Sequence, residues 1–110
     1  MPTIDHARLT DAIAAIVAAG GSEAAEARTV ADNLVGANLA GHDSHGVGMI
    51  PAYIGNRLTG GLVANAHVSV EVDNGAVVVL DGNSGYGQVV GQVAMDIGIE
   101  RAREFGAAGI

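Results

Sequence analysis

A chain of 110 residues is long enough for one domain with its own core, built mostly from Ala, Val, Ile and Leu because there are 17 glycines and a single Phe. The net charge of −7 opposes binding to nucleic-acid phosphates, and the absence of cysteine excludes disulfides and thiolate metal sites. The N-terminus does not resemble a signal peptide and no apolar run reaches the roughly 20 residues of a membrane span, so we expect a cytoplasmic protein without membrane or nucleic-acid partners.

The first predicted helix begins after two polar residues, Thr3 and Asp5, that are suitable N-caps. It ends before Gly20-Gly21, because paired glycines disfavour continuation of a helix. Apolar residues recur at spacings of three and four, which predicts one buried stripe: Leu9, Ile13, Ile16 and Val17.

Two further helices are predicted before residue 60. Ser22 is a suitable N-cap for the second, which we expect to extend to Ala40. The third is expected over Met49–Thr59, with Pro51 in its first turn, where a missing amide hydrogen costs nothing. The expected buried side of the second helix carries Val30, Leu34, Ala37 and Gly41.

The pattern then changes to strands. His67–Val72 alternates apolar and polar residues, Asn74-Gly75 is a strong two-residue hairpin turn, and Ala76–Leu80 is expected to be a buried strand. A long helix is predicted over Gln88–Glu104, and Ala107–Ile110 begins another strand.

These elements predict a mixed α+β fold in two parts. Residues 1–62 form a helical layer, and residues 63–110 contribute a β-hairpin and a long helix. The long Ala-rich helices are expected to serve as core or subunit interface.

The polar residues that carry chemistry are concentrated between the second and third helices, in Gly41–Val47. His42, Asp43, Ser44 and His45 are consecutive there. Imidazole titrates near neutral pH, so His45 is a candidate general acid and base, and Gly46 beside it leaves room for a ligand. The alternative is that His42 and His45 are simply surface histidines.

Three other sites are weaker candidates. Gly85, Gly87 and Gly91 resemble a dinucleotide-binding fingerprint, but the preceding strand belongs to an apparent antiparallel hairpin and the glycines equally suit a tight turn. A metal site at His42, Asp43 and His45 lacks a further ligand. A Ser-His-Asp triad is poorly supported because adjacent Ser44 and His45 are expected to project in different directions. His6 and His67 are expected to face solvent.

Two long runs of residues resemble a known family. Ala37–Pro51, which contains Gly-His-Asp-Ser-His-Gly, and Leu80–Val89 are similar to the malate/L-lactate dehydrogenase family, which is unrelated to the Rossmann-type lactate dehydrogenases. The resemblance implies a homodimeric oxidoreductase that uses NAD or NADP and acts on small 2-hydroxy and 2-oxo acids. It also implies that residues 63–110 begin a non-Rossmann cofactor domain.

The same resemblance assigns roles to two residues. His45 falls on the histidine that lies beside the nicotinamide and exchanges a proton with the reacting oxygen, so it is both the catalytic and the cofactor-binding candidate. Ser44 falls on a serine that some members use to orient or relay to that histidine. No metal is implied.

The chain departs from the family pattern at the substrate carboxylate. Many members have an arginine four residues after the histidine, where this chain has Met49, and a basic residue where it has Ala52. Arg57 is a candidate replacement. NAD and NADP are not distinguished, because the residues that recognise the ribose lie beyond Ile110 in the family.

We also expect this chain to be the N-terminal segment of a longer enzyme and to be inactive by itself, because the family supplies most cofactor contacts from later segments. The main alternative is a helical dimerisation module without chemistry. A hydrolase or metal-dependent lyase that uses His42, Asp43 and His45 is a third hypothesis.

Overall fold

The computed structural model describes residues 2–110 and divides into two compact units, one that extends to Asn65 and one from Ala66 to Ile110. The expected mixed α+β class is confirmed, with four helices and a two-stranded antiparallel sheet in the described chain. None of the described helices combines the length and hydropathy that a membrane crossing requires.

The first unit is a pair of packed helices followed by a shorter one. Helix α1 spans His6–Ala19, α2 spans Ala24–Leu39 and α3 spans Ile50–Thr59. As predicted, Asp5 caps α1: its carboxylate accepts a hydrogen bond from the Arg8 amide at 3.0 Å. The side chains buried in this unit are mainly small and aliphatic: Ile13, Val17, Ala27, Val30, Ala31, Leu34, Val35 and Ile50.

The predicted apolar stripe of α1 is only partly correct. Ile13 and Val17 are buried, but Ile16 is 43% exposed and Thr10 takes the remaining buried position. The Thr10 hydroxyl donates to the His6 carbonyl one turn earlier at 2.8 Å, and this hydrogen bond makes its burial tolerable. A polar residue can therefore belong to the buried stripe.

The prediction that Ser22 caps α2 is wrong. Glu23 occupies the N-cap position of α2, but its side chain makes no capping hydrogen bond. The Ser22 hydroxyl instead donates to the buried Glu26 carboxylate at 2.6 Å. The amide of Glu23 itself donates to the Asn65 side chain at 2.7 Å.

Asn65 joins the start of α2 to the end of the first unit. Its side-chain nitrogen donates to the Gly21 carbonyl at 3.0 Å, and its backbone amide donates to Glu26 Oε2 at 2.8 Å. Its φ of 59° is left-handed, a conformation that asparagine tolerates better than most residues. This single residue therefore satisfies polar groups on both sides of the α1–α2 turn.

In the second unit, strand β1 (Ser69–Asn74) pairs antiparallel with β2 (Val77–Asp81), and helix α4 spans Gly87–Phe105. The hairpin turn lies at Gly75-Ala76, one residue later than predicted. Gly75 has a φ of 67° at the first loop position, where type II′ turns require glycine. The expected helix over Gln88–Glu104 is confirmed to within a residue at each end.

The strands are less regular and less buried than expected. A β-bulge between Val70 and Val72 interrupts the alternation of β1. In β2 only Val78 is buried, while Val77 and Val79 are 55% and 49% exposed. The strand expected over Ala107–Ile110 is represented by one parallel bridge between Gly109 and Val77.

An ion pair connects the hairpin to α4. Two guanidinium nitrogens of Arg101 each donate to a different carboxylate oxygen of Asp73, at 2.7 Å, and Nη1 also contacts the Gly75 carbonyl at 3.2 Å. The hydrogen bond from Arg101, with a further one from the Gly75 amide, lowers the pKa of Asp73. The turn is thus held by a bidentate interaction rather than by apolar packing alone.

The first prediction concerns Asn65. Asn65→Gly removes both side-chain hydrogen bonds but accepts the positive φ, and should lower the free energy of unfolding by about 1–2 kcal/mol. Asn65→Ala adds the cost of a left-handed alanine and should lose roughly 1 kcal/mol more. Urea unfolding of both variants measures the difference. Equal stabilities for the Ala and Gly variants would contradict the conformational part of this argument.

The second prediction concerns pH. Because the pKa of Asp73 is lower in the folded chain, the ionised carboxylate stabilises the fold above its unfolded pKa of about 4, and this contribution is lost as the pH falls through the folded pKa. Asp73→Asn should therefore unfold more easily than wild type at pH 7, with the difference shrinking in acid.

Thermal unfolding across the acid range tests this expectation, with Asp96→Asn as the control for removing an exposed carboxylate of the same unit. A stability gap between wild type and Asp73→Asn that stays constant with pH would show that the charge of Asp73 does not contribute.

Candidate active site

The chain leaves α2 through a left-handed glycine. Gly41 has a φ of 78°, its amide donates to the Asn38 carbonyl at 3.0 Å, and the next amide, of His42, donates to the Ala37 carbonyl at 2.8 Å. This pair of bonds is the Schellman arrangement, which satisfies the last carbonyls of a helix and reverses the chain. The expectation that Gly41 lies on the buried side of the second helix is wrong, because α2 ends at Leu39 and Gly41 is exposed.

The segment that follows is wound into two 3₁₀ turns, Asp43–His45 and Val47–Met49. The His45 amide donates to the His42 carbonyl at 3.0 Å, and the Gly46 amide donates to the Asp43 carbonyl at 3.1 Å. The sequence cluster is thus a hydrogen-bonded structure and not an irregular loop.

Two neighbouring side chains, those of Ser44 and His42, contact the imidazole ring of His45. Ser44 Oγ lies 2.9 Å from His45 Nδ1, and the centroid of the His42 ring lies 4.3 Å from that of His45, with the planes tilted by 51°. The expectation that Ser44 and His45 point apart is wrong: the serine hydroxyl is within hydrogen-bond distance of the ring, although successive residues of a 3₁₀ turn are rotated by about 120°. Both histidines are exposed.

This contact decides which nitrogen of His45 is available for chemistry. A hydroxyl can donate to a neutral Nδ1 or accept from a protonated one, so Ser44 can partner the ring in either state. With Nδ1 engaged, Nε2 is the nitrogen left to exchange a proton with a ligand.

Asn38 was not a candidate from sequence, yet it holds this segment to α2. Its Nδ2 donates to Asp43 Oδ1 at 2.7 Å, and its Oδ1 accepts from the Val47 amide at 2.8 Å. Gly46 is buried, and a Cβ placed there would overlap the Asn38 amide. An asparagine in the last turn of a helix before a Gly-rich polar segment is the only sequence signal of this role.

The other sequence candidates occupy separate positions. Among the described residues, no three His, Asp or Glu side chains are grouped to hold a metal ion. Arg57 lies beside the α1–α2 turn, where a Cβ at Gly21 would be 3.1 Å from its Nη2. His6 and His67 are exposed, as expected.

The three candidate glycines of this cluster have different surroundings. Gly85 precedes α4, and a Cβ there would lie 3.1 Å from the Ala66 side chain. Gly87 is the first residue of α4 and Gly91 lies inside it, and Cβ positions there meet no atom within 4 Å. The Gly85 amide donates to the Gly82 carbonyl at 3.0 Å and closes a turn, so the tight-turn interpretation fits Gly85.

Comparison with known proteins gives a consistent picture. A family model described as malate/L-lactate dehydrogenase matches residues 4–110. Hydroxycarboxylate dehydrogenase B of Escherichia coli K12 is 46% identical over 106 residues, which are 96% of this chain and 29% of that protein. The chain therefore spans about 29% of the length of this curated relative.

Solved structures agree with the sequence comparison. Malate dehydrogenase from Pyrococcus horikoshii matches 96% of this chain and 30% of its own, with a TM-score of 0.90 and 32% identity. Sulfolactate dehydrogenase from Methanocaldococcus jannaschii matches 91% of this chain and 29% of its own, with a TM-score of 0.86 and 31% identity. The fold of the described residues is thus that of these dehydrogenases.

The third prediction tests the contact between Gly46 and Asn38. Gly46→Ala should lower the free energy of unfolding by about 1–3 kcal/mol, the usual cost of overpacking, because the new methyl group displaces the Asn38 amide. Gly48→Ala is the matched control, since a Cβ there meets nothing within 4 Å and its φ is ordinary. Urea unfolding measures both variants.

A double-mutant cycle makes this test specific. In an Asn38→Ala background, Gly46→Ala should cost much less, because the side chain with which the methyl group clashes is absent. Equal costs at positions 46 and 48, or a cost at 46 that does not depend on Asn38, would refute the proposed contact.

Proposed function

The chain belongs to the malate/L-lactate dehydrogenase family, and from that premise we propose that the whole protein interconverts a small 2-hydroxy acid and its 2-oxo acid with NAD or NADP. His45 donates and accepts the proton in this proposal. The relatives support the substrate class, because hydroxycarboxylate, malate and sulfolactate dehydrogenases are all named for 2-hydroxy acids.

The observation that carries the proposal is the 2.9 Å contact between Ser44 Oγ and His45 Nδ1. It orients an exposed imidazole and leaves Nε2 to face a substrate. In the reduction direction, the imidazolium donates its Nε2–H proton to the carbonyl oxygen, on which negative charge develops, and the neutral ring that remains keeps its proton on Nδ1. In the oxidation direction, Nε2 of that neutral ring takes the hydroxyl proton, and Ser44 Oγ accepts a hydrogen bond from Nδ1–H in both states.

We expect a nicotinamide cofactor beside His45, because the family implies one and the imidazole is exposed to a ligand. The cofactor supplies or accepts the hydride when it is bound. His45 is the residue of this chain that we expect to contact it.

Several finer assignments belong to the same proposal. The protein acts as a cytoplasmic homodimer, residues 1–62 form the helical domain that presents His45, and residues 63–110 begin the nucleotide-binding domain. The choice between NAD and NADP is left open, since the family resemblance places the ribose-recognising residues outside this chain.

The fourth prediction concerns catalysis by the whole protein. His45→Ala should lower kcat by about 10²–10⁴, the usual contribution of a positioned acid or base. Ser44→Ala should lower kcat by roughly tenfold, because the ring stays in place but loses its orienting partner. Consumption of NADH or NADPH with a panel of 2-oxo acids measures both effects.

His6→Ala is the control, because it removes an exposed histidine from α1 and should leave turnover unchanged. Circular dichroism and the oligomeric state verify that each variant is folded. Wild-type turnover in His45→Ala would disprove the role of His45. If the folded wild-type protein reduces none of the 2-oxo acids, the proposed reaction is wrong and a dimerisation module becomes the better hypothesis.

A further inference from the structure

We propose that Asn38 is a positioning residue for His45, and this inference rests on the proposed function of His45. Asn38 lies in the last turn of α2, and its side chain bonds to the chain on both sides of the histidine. Nδ2 donates to the Asp43 carboxylate two residues before His45, and Oδ1 accepts from the Val47 amide two residues after it.

The carboxylate of Asp43 fixes the orientation of the amide. If Asn38 were rotated by half a turn, its oxygen would face a carboxylate oxygen and its NH₂ group would face the Val47 N–H. Both contacts would be repulsive. The bonding pattern therefore requires a side chain with one donor and one acceptor in the same planar group.

The short turn needs such an external support. A 3₁₀ turn of three residues has few internal hydrogen bonds and poor geometry, and the side chains of Asp43, Ser44 and His45 are all exposed. Helix α2, in contrast, is anchored by buried Leu34 and Val35 just before Asn38. The two hydrogen bonds of Asn38 thus tie the exposed segment to a packed helix.

Gly46 allows the Asn38 amide to lie close to the backbone of the segment. It directly follows His45, it is buried, and its missing side chain gives the space that the Asn38 amide occupies. Asn38 consequently bonds to the side chain of Asp43 and to the backbone amide of Val47, and its amide occupies the space beside Gly46. Loss of the amide frees the backbone that carries both Ser44 and His45, so the orientation of the imidazole is lost without removal of any reacting group.

The experiment compares Asn38→Ala with Asn33→Ala in the whole protein. Asn33 is the matched control, an exposed asparagine of the same helix whose side chain donates to the Thr29 carbonyl at 2.9 Å. Asn38→Ala should lower kcat by about 100-fold, as expected for a misplaced catalytic group, with KM little changed. Asn33→Ala should retain wild-type kcat.

A second measurement does not depend on activity. NMR of ¹⁵N-labelled histidine reports the tautomer of His45, and hydrogen exchange reports the Val47 amide. Asn38→Ala should mix the tautomers and expose the amide to exchange, whereas Asn33→Ala should change neither. If wild type shows no dehydrogenase turnover, the proposed function fails, and these two signals still decide whether Asn38 positions His45.

Exchanging the side chains of Asn38 and Asp43 distinguishes a positioning role of Asn38 from a general loss of stability. Asn38→Asp places two carboxylates against each other and should lose the ordered tautomer. Adding Asp43→Asn restores a donor–acceptor pair, keeps an acceptor for the Val47 amide, and should restore the tautomer and most of kcat. The Asn38→Asp variant and the double variant with Asp43→Asn provide the same test if Asn38→Ala fails to fold.

Two results would overturn the proposal. The first is an Asn38→Ala protein whose kcat, histidine tautomer and Val47 exchange match those of Asn33→Ala. The second is a folded exchange variant whose tautomer and kcat remain as impaired as those of Asn38→Asp.

Discussion

Apolar packing between α1 and α2 is the constraint on which the rest of the first unit depends. Val17 on α1 and Val30 and Leu34 on α2 are almost completely removed from water, and burial of such side chains is worth about 1.5–3 kcal/mol each. Helix α2 is therefore fixed along its length up to the turn that carries Asn38. The polar segment after it is short and exposed, so its order depends on this helix and not on burial of its own side chains.

The helices could be predicted because their signals are local. The spacing of apolar residues and the cap at Asp5 depend on neighbours within one or two turns, and these elements appear as expected. The capping of α2 could not be predicted, because the partner of the Glu23 amide is Asn65, which is 42 residues away. The position of the hairpin turn depends on strand register: Asn74 pairs with Val77, which leaves Gly75 and Ala76 as the loop.

The candidate site shows the same limit. The residue types that can move a proton were visible in the sequence and made His45 a candidate, whereas the role of Ser44 came from the family resemblance. Their mutual contact was not visible, because sequence spacing indicates the average direction of each side chain and not the rotamers that bring Ser44 Oγ to His45 Nδ1. The role of Asn38 was hidden for a different reason: it consists of two hydrogen bonds to residues that lie beyond the end of its helix.

Asparagine amides recur in this chain where aromatic packing is scarce. Glycine-rich segments offer few side chains to bury, and with 3% aromatic residues the chain has few large groups to cover them. Asn38 and Asn65 each bond to groups before and after a turn in the first unit, and in the second unit Asn83 Nδ2 donates to the His67 carbonyl and to Ser69 Oγ, both at 2.6 Å. The asparagine side chain is short and its amide has both a donor and an acceptor. One residue can therefore link two chain segments at a small cost in side-chain entropy. Near His45 the two hydrogen bonds of Asn38 hold the segment to α2 while the imidazole stays exposed.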